Sequence, residues 1–130
     1  MTTATDLHLP GNCPLVSDTL ARVGDKWSVL VVMLLGDGPR RFNELKRAIG
    51  GISQRMLTLT LRGLERDGLV TRTAFATIPP RVDYELTDLG CSLRTAVSAL
   101  GAWAVANHPK IAAARAAFDA ARGDGLRAAA

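Results

Sequence analysis

The sequence predicts a mainly α-helical fold with a small β-hairpin, an α+β arrangement of the winged helix-turn-helix type. Apolar residues recur at helical spacing through residues 13–67, and the last two of these helical patterns are joined by a tight turn containing glycine. A strand, a loop and a second strand follow, and then a long helical pattern. The 130 residues are enough for one domain. We expect it to span residues 13–108, between a flexible tail over 1–12 and an alanine-rich helical extension over 109–130 with a frayed end.

The first two predicted helices have recognisable end signals. Cys13-Pro14 opens the first helix, since proline is well tolerated in a first helical turn, and Gly24 ends it. The stretch Lys26–Leu35 is almost wholly apolar, so its periodicity alone fits either a strand or a buried helix. Its length of ten residues and the glycine- and proline-containing stop at 36–39 favour a helix.

Two further helices form the predicted helix-turn-helix. The first carries Phe42, Leu45 and Ile49 on one side and ends at Gly50-Gly51. The second, from Ser53 to Asp67, is the predicted recognition helix, and the Ser53 hydroxyl can accept a hydrogen bond from an unpaired amide of its first turn. Its core stripe is predicted to consist of Leu57, Leu61 and Leu64.

A hairpin and a long helix complete the predicted fold. The runs Leu69–Phe75 and Val82–Leu86 flank the loop 76–81 and are typical of two short strands, which form the wing. Thr87-Asp88 then opens a long helix, which we expect Pro109 to interrupt. The apolar face of this helix is predicted to contain Leu89, Leu93, Val97 and Leu100, with Trp103 close to it.

The charge is concentrated in the middle third of the chain. Residues 40–81 hold nine basic and three acidic side chains, whereas residues 1–39 hold two and four, and residues 82–130 hold five of each. A basic centre of this kind favours a polyanionic partner, because phosphate contacts supply most of the non-specific affinity for nucleic acids. A solvated arginine-rich surface is the alternative.

Side chains with base-reading chemistry lie on the outward face of the recognition helix. Arginine can bond the O6 and N7 atoms of guanine, glutamine the edge of adenine, and serine or threonine either a base or a phosphate. The predicted base-reading residues are Ser53, Gln54, Arg55, Thr58 and Arg62. Around the preceding helix, the residues expected to contact the phosphate backbone are Arg40, Arg41, Asn43, Lys46 and Arg47. Arg81, after Pro79-Pro80, is predicted to contact a phosphate or the adjacent minor groove of double-stranded DNA, with a merely solvent-exposed hairpin arginine as the alternative.

The sequence gives no basis for an enzyme, a metal site or a bound cofactor. His8 and His108 lack the partner spacing of a metal site or a catalytic triad, and Asp25-Lys26 fits a helix cap better than acid–base chemistry. The longest strongly apolar run, Val29–Leu35, has seven residues. A membrane span needs roughly 20. We therefore expect no membrane partner and, without a secretory signal at the N-terminus, a cytoplasmic protein.

Ordered blocks of residues from Cys13 to about Trp103 resemble the HxlR-type branch of the MarR-like winged helix-turn-helix regulators. The blocks are Cys13-Pro14, Gly24-Asp25-Lys26-Trp27, Gly38-Pro39-Arg40-Arg41-Phe42-Asn43-Glu44-Leu45, Gly51-Ile52-Ser53, Leu61-Arg62-Gly63-Leu64-Glu65, Asp67-Gly68-Leu69-Val70, Pro79-Pro80-Arg81-Val82, Tyr84 and Leu86-Thr87-Asp88-Leu89-Gly90. The resemblance implies a homodimeric transcriptional regulator, expected to be a repressor, with dimerisation helices at both termini. Its half-sites would lie roughly 34 Å apart, in successive major grooves. Gly63 departs from the family, which usually has a helix-favouring residue there, and glycine inside a helix costs about 1 kcal/mol relative to alanine.

Two cysteines raise the question of a redox response. Cys13 opens a helix, whose dipole favours the reactive thiolate, and in several HxlR-like regulators a cysteine at this place is the sensor. Alternatively, Cys13 is a small apolar thiol packed under the dimer interface, and Asp18 one turn onward opposes thiolate formation. The sequence leaves both open. Nothing near Cys91 activates its thiol.

Two functional alternatives accompany this interpretation. A small-molecule effector could bind an apolar cleft between the dimerisation helices and the winged domain. A winged-helix module that binds protein, and whose basic face is incidental, is the competing function class; the affinity of a true DNA-binding protein should fall steeply with salt.

Overall fold

The computed structural model describes residues 13–129, and the side chains of residues 16–123 and 125. The tail predicted over residues 1–12 lies outside this range. The elements in chain order are α1 (Cys13–Val23), α2 (Lys26–Leu35), β1 (Arg40–Arg41), α3 (Phe42–Ala48), α4 (Gln54–Arg66), β2 (Val70–Phe75), β3 (Arg81–Leu86) and α5 (Asp88–Ala129). This is the predicted winged helix-turn-helix, with α3 and α4 as the helix pair and β2 and β3 as the wing.

Polar side chains cap the N-termini of α2 and α4, as the sequence predicts. Asp25 accepts a hydrogen bond from the backbone amide of Ser28 at 3.2 Å, at the start of α2. Ser53 accepts one from the amide of Met56 at 3.0 Å, at the start of α4. Each cap satisfies an amide that has no partner within the helix, and both predicted helix starts are confirmed.

The wing belongs to a three-stranded antiparallel sheet in the order β1-β3-β2. In the hairpin Val70 pairs with Leu86 and Phe75 with Arg81, and on the other side of β3 Arg40 pairs with Tyr84. Strand β1 was not predicted, because two residues are too few to show the alternation of a strand. The pairing fixes the start of α3 against the wing.

The core lies where α2, α3 and α4 meet the first residue of β2. Its buried apolar residues are Val31, Val32, Leu35, Leu45, Ile49, Ile52, Leu57, Leu61, Leu64, Leu69 and Val70. The apolar stretch of α2 is therefore a helix that buries Val31, Val32 and Leu35, and the three leucines predicted for the α4 core stripe are buried.

The start of α5 is joined to the turn between α4 and β2. The Thr87 amide donates to the Leu69 carbonyl at 3.0 Å, and the Thr87 hydroxyl donates to the Gly68 carbonyl at 2.6 Å. A Cβ atom on Gly90 would overlap the Leu69 carbonyl oxygen, so glycine permits this close approach.

The described chain divides into two compact units, one ending at Val97 and one beginning at Ser98. Pro109 lies inside α5, so the predicted interruption of this helix is wrong. Pro109 cannot donate a backbone hydrogen bond, but alanines on both sides favour the helix strongly enough to continue it. The second unit exposes large apolar side chains, namely Leu100, Trp103, Val105 and Phe118.

The part of α5 from Asp88 to Gly123 is long and apolar enough to cross a membrane, judged by length and composition alone. No long uninterrupted apolar run marks this stretch in the sequence. Its apolar character is spread over many alanines and glycines between isolated polar residues. Only 6% of its most apolar window is buried within the chain.

Candidate nucleic-acid interface

The helix-turn-helix presents α4 with its leucines turned inward. Leu57, Leu61 and Leu64 are at most 1% exposed, and the turn before α4 contains Gly51 at a φ of 84°. This left-handed conformation suits glycine, because it has no Cβ to clash with the backbone. Burial of one side of α4 leaves its opposite side to solvent.

The predicted base-reading residues occupy the outward part of α4 and its cap. Ser53, Gln54, Arg55 and Arg62 are exposed, while Thr58 is half-buried. The Thr58 hydroxyl donates to the Gln54 carbonyl at 2.9 Å. Its remaining lone pairs can accept a hydrogen bond, for example from an adenine or cytosine amino group.

A groove of about 550 Å³ runs between α4 and the wing. It brings together three predicted base-reading residues, Gln54, Thr58 and Arg62, with four residues that were not predicted to contact DNA. The latter are Phe42, Glu65, Arg72 and Tyr84. Of these residues, Arg72 suits a phosphate oxygen, whereas the Glu65 carboxylate in the same groove disfavours one. The signal for Arg72 and Tyr84 lies in the hairpin register, which pairs them directly.

Two apolar side chains on α4 are also exposed. Leu59 is 52% and Met56 40% accessible. Leu59 lies one helical turn after Arg55, on the side of α4 opposite the buried leucines. An apolar side chain at such a position can contact the C5-methyl group of thymine. Leu59 was not among the predicted base-reading residues, because those were chosen for their polar groups.

The start of α3 carries a second polar surface. Arg41, Asn43, Glu44 and Arg47 line a shallow cavity of about 540 Å³, and Lys46 is exposed on the same helix. The Glu44 carboxylate accepts a hydrogen bond from the Arg41 amide at 3.1 Å, which stabilises the first turn of α3.

Arg40, in contrast, is held by the end of α2. Its Nε donates to the Leu34 carbonyl at 3.1 Å, and its Nη2 lies 4.0 Å from an Asp37 carboxylate oxygen. The guanidinium therefore satisfies a carbonyl in the last turn of α2. Arg40 lines neither the groove between α4 and the wing nor the cavity at the start of α3.

Arg81 is likewise engaged within the wing. Its Nη2 donates to Asp83 Oδ2 at 3.1 Å, and its guanidinium lies 4.4 Å from the centre of the Phe75 ring. Phe75 and Arg81 also form the last pair of the hairpin ladder. Beyond them, Ile78 is fully exposed in the loop. Arg81 thus joins the two strands beside the wing loop.

Of the two cysteine side chains, the structure describes that of Cys91. Cys13 is the first residue of α1, and its side chain lies outside the described residues. Cys91 is a free, exposed thiol.

An apolar cavity of about 510 Å³ separates α1 from the first turns of α5. Its apolar wall is formed by Val23, Leu69, Leu89 and Leu93. Polar residues at the cavity are Asp18, Thr19, Arg22, Asp67 and Ser92. Across the described residues, no cluster of three or more histidine, cysteine or acidic side chains could hold a metal ion.

Comparison with known proteins gives a consistent family. A model of the HxlR-like helix-turn-helix matches residues 22–112. The HTH-type transcriptional regulator YtfH of Escherichia coli (strain K12) is 41% identical over 103 residues, which cover 79% of this chain and 81% of YtfH.

Solved structures agree with the sequence matches. The transcriptional regulator ytfH from Salmonella typhimurium superimposes with a TM-score of 0.71 at 35% identity, covering 88% of this chain and 98% of that one. The reduced form of the redox regulator HypR also gives a TM-score of 0.71, at 40% identity, covering 75% of this chain and 97% of HypR.

Proposed function

This chain belongs to the HxlR-like helix-turn-helix family of DNA-binding transcriptional regulators, and we propose that it is a homodimeric repressor that reads its operator with α4. One observation carries the proposal. Gln54, Thr58 and Arg62 line one groove with Arg72 of the wing. Beside this groove, the outer face of α4 is exposed and can enter a DNA major groove. We further propose that it acts by binding rather than by catalysis and that it works in the cytoplasm. Relatives described as transcriptional regulators support both proposals.

Base reading and phosphate binding are assigned to different residues. We assign base reading to the exposed face of α4, namely Ser53, Gln54, Arg55, Thr58, Leu59 and Arg62. Phosphate contacts are assigned to the start of α3 and to the groove, namely Arg41, Asn43, Lys46, Arg47 and Arg72. The internal hydrogen bonds of Arg40 and Arg81 favour supporting roles, at the end of α2 and in the wing.

A second copy of the chain is the proposed partner of the apolar helix surface. Leu100, Trp103 and Phe118 are 57–66% exposed. Their spacing of three and fifteen residues places them on one side of α5. In a family of transcriptional regulators, pairing of two such helices explains this surface better than a membrane span. Dimerisation would place two recognition helices in successive major grooves, about 34 Å apart.

Two kinds of signal are proposed to act on this regulator, an oxidant or electrophile and a small-molecule effector. HypR is described as a redox regulator, and Cys13 begins α1. We propose Cys13 as the thiol that an oxidant or electrophile would modify, because the helix dipole at that position favours the thiolate. The apolar cavity between α1 and α5 is the proposed site for a small-molecule effector.

DNA binding can be tested with a duplex selected from a random pool. We expect the logarithm of the affinity to fall linearly with the logarithm of salt concentration, with a slope of about −0.9 for each phosphate contacted. Arg55→Ala should reduce the preference for the selected sequence by about 1–3 kcal/mol, whereas Arg41→Ala should weaken binding to every duplex alike.

The competing function, a protein-interaction module, gives the opposite result. Such a protein would bind no duplex even at low salt, and that outcome would end the proposal. Fluorescence anisotropy with wild type, Arg55→Ala and Arg41→Ala on selected and scrambled duplexes covers both alternatives.

The redox response has a separate test. Diamide or a quinone should release the wild-type protein from the selected duplex and leave Cys13→Ser bound. Cys91→Ser is the matched control, since its thiol is exposed and should not be needed. Equal release of wild type and Cys13→Ser would remove Cys13 from the response.

A further inference from the structure

Gly63 makes room for an arginine from another helix. It lies inside α4, where glycine is unfavourable, and a Cβ atom at this position would overlap the guanidinium of Arg22. Arg22 is in the last turn of α1. The absence of a side chain at position 63 therefore lets Arg22 lie directly against the α4 backbone.

An ion pair holds Arg22 in this place. Its Nε donates to Asp67 Oδ2 at 2.8 Å, and the two side chains are 33% and 37% exposed. Asp67 is the C-terminal cap residue of α4. The guanidinium thus spans one turn of α4, from Gly63 to Asp67, and joins the end of α1 to the end of the recognition helix.

The geometry points to a positioning role: we infer that Arg22, seated on Gly63 and paired with Asp67, fixes the orientation of α4 relative to α1. This inference rests on the proposed function, a homodimeric regulator, and on the N-terminal dimerisation helix that the family resemblance implies. If α1 belongs to that dimer interface, its angle to α4 sets the separation of the two recognition helices. Arg22 would then determine which half-site spacing the dimer accepts, without touching a base.

On this proposal, loss of the Arg22 contact alters the half-site spacing that the dimer prefers and leaves its preference among bases unchanged. We expect wild type to bind best at one half-site spacing and to lose affinity when one base pair is inserted or removed. Arg22→Ala should reduce this spacing discrimination by roughly two- to thirtyfold, because an exposed ion pair contributes modestly but is present twice in a dimer. Its preference among base sequences within a single half-site should remain that of wild type.

Gly63→Ala provides the sharper test. Alanine favours the helix, so the melting temperature should not fall, yet its Cβ displaces Arg22 and should reduce spacing discrimination as Arg22→Ala does. The two changes act through one contact, so Arg22→Ala/Gly63→Ala should discriminate no less than Arg22→Ala alone.

Arg66→Ala is the matched control, because it removes the same charge one residue before Asp67 and leaves the Arg22–Asp67 pair intact. Anisotropy titrations on duplexes with spacers altered by one and two base pairs provide the readout. Wild-type spacing discrimination in Gly63→Ala, or a further loss in the double variant, would overturn the inference, as would a wild type that tolerates all spacings equally. A wild type that binds no duplex would instead contradict the proposed function itself.

Discussion

Two arginines that a sequence pattern assigns to DNA are held by partners within the chain. Arg40 bonds the Leu34 carbonyl, and Arg81 is paired with Asp83 and lies over Phe75. Composition and spacing identify an arginine near a predicted DNA surface, but they do not show which acceptor its guanidinium reaches. The outward face of α4 was predictable, because burial of three leucines dictates which side of the helix is exposed.

For Arg81 the salt dependence of binding distinguishes the two roles. Arg41→Ala should lower the magnitude of the salt slope by about one unit per protomer, as expected for a lost phosphate contact. Arg81→Ala should leave the slope nearly unchanged and should instead speed amide hydrogen exchange in β2 and β3, because it removes the contacts with Asp83 and Phe75. A slope reduced as much as in Arg41→Ala, with hydrogen exchange unaltered, would instead support Arg81 as a phosphate contact.

Leu59 carries a prediction about thymine. If its exposed side chain contacts a thymine methyl group, replacing that thymine by deoxyuridine should weaken wild-type binding about fourfold, the equivalent of one buried methylene at ~0.8 kcal/mol. The replacement should have no effect on Leu59→Ala. Titrations with each thymine of the selected duplex replaced in turn measure this, and the other thymines serve as controls. Equal sensitivity of both proteins at every position would exclude the contact.

At the scale of elements, Ser53 has two roles that substitutions can separate. Its hydroxyl caps α4 by accepting from the Met56 amide, and it is exposed beside the proposed major-groove surface. Ser53→Ala should lower the free energy of unfolding by about 1 kcal/mol. Ser53→Asp retains a capping oxygen, so it should keep the stability while its negative charge weakens DNA binding.

Ser53→Asn completes that comparison, because it caps without adding a charge. Urea unfolding and DNA titration of the three variants supply the two measurements. If Ser53→Asp binds DNA as well as Ser53→Asn does, then α4 does not present its N-terminus to the phosphates or the base edges.

The elements differ in how far sequence predicts them. The ends of α1 to α4 follow from glycines, caps and apolar spacing, and the structure confirms them within one or two residues. Strand β1 depends on pairing with β3, more than forty residues later in the chain, which no local pattern reveals. Pro109 signals a helix end locally, but the alanine-rich sequence around it outweighs that signal.

At the scale of the whole molecule, the predicted apolar face of α5 remains largely exposed in a single chain. The sequence predicts Leu89, Leu100 and Trp103 on an apolar face, and each is more than half exposed. Exposure of such an apolar helix face to water is unfavourable, and a face of this kind usually marks a surface that a partner covers. The same pattern could not show whether that partner is the chain itself, a membrane or a second copy.

Oligomeric state and DNA affinity together decide between these possibilities. Trp103→Asp places a charge at the centre of the exposed apolar face, so we expect a shift from dimer to monomer in sedimentation velocity. The monomer should keep its helical circular dichroism, since Trp103 lies outside the core formed by α2, α3 and α4. Binding to a two-half-site duplex should weaken by about a hundredfold or more, because the second recognition helix is no longer held near its site.

Ala102→Asp adds the same charge to the opposite side of α5 and should remain dimeric. A Trp103→Asp variant that stays dimeric, or a wild type that is monomeric and binds DNA equally well, would show that α5 does not form the dimer.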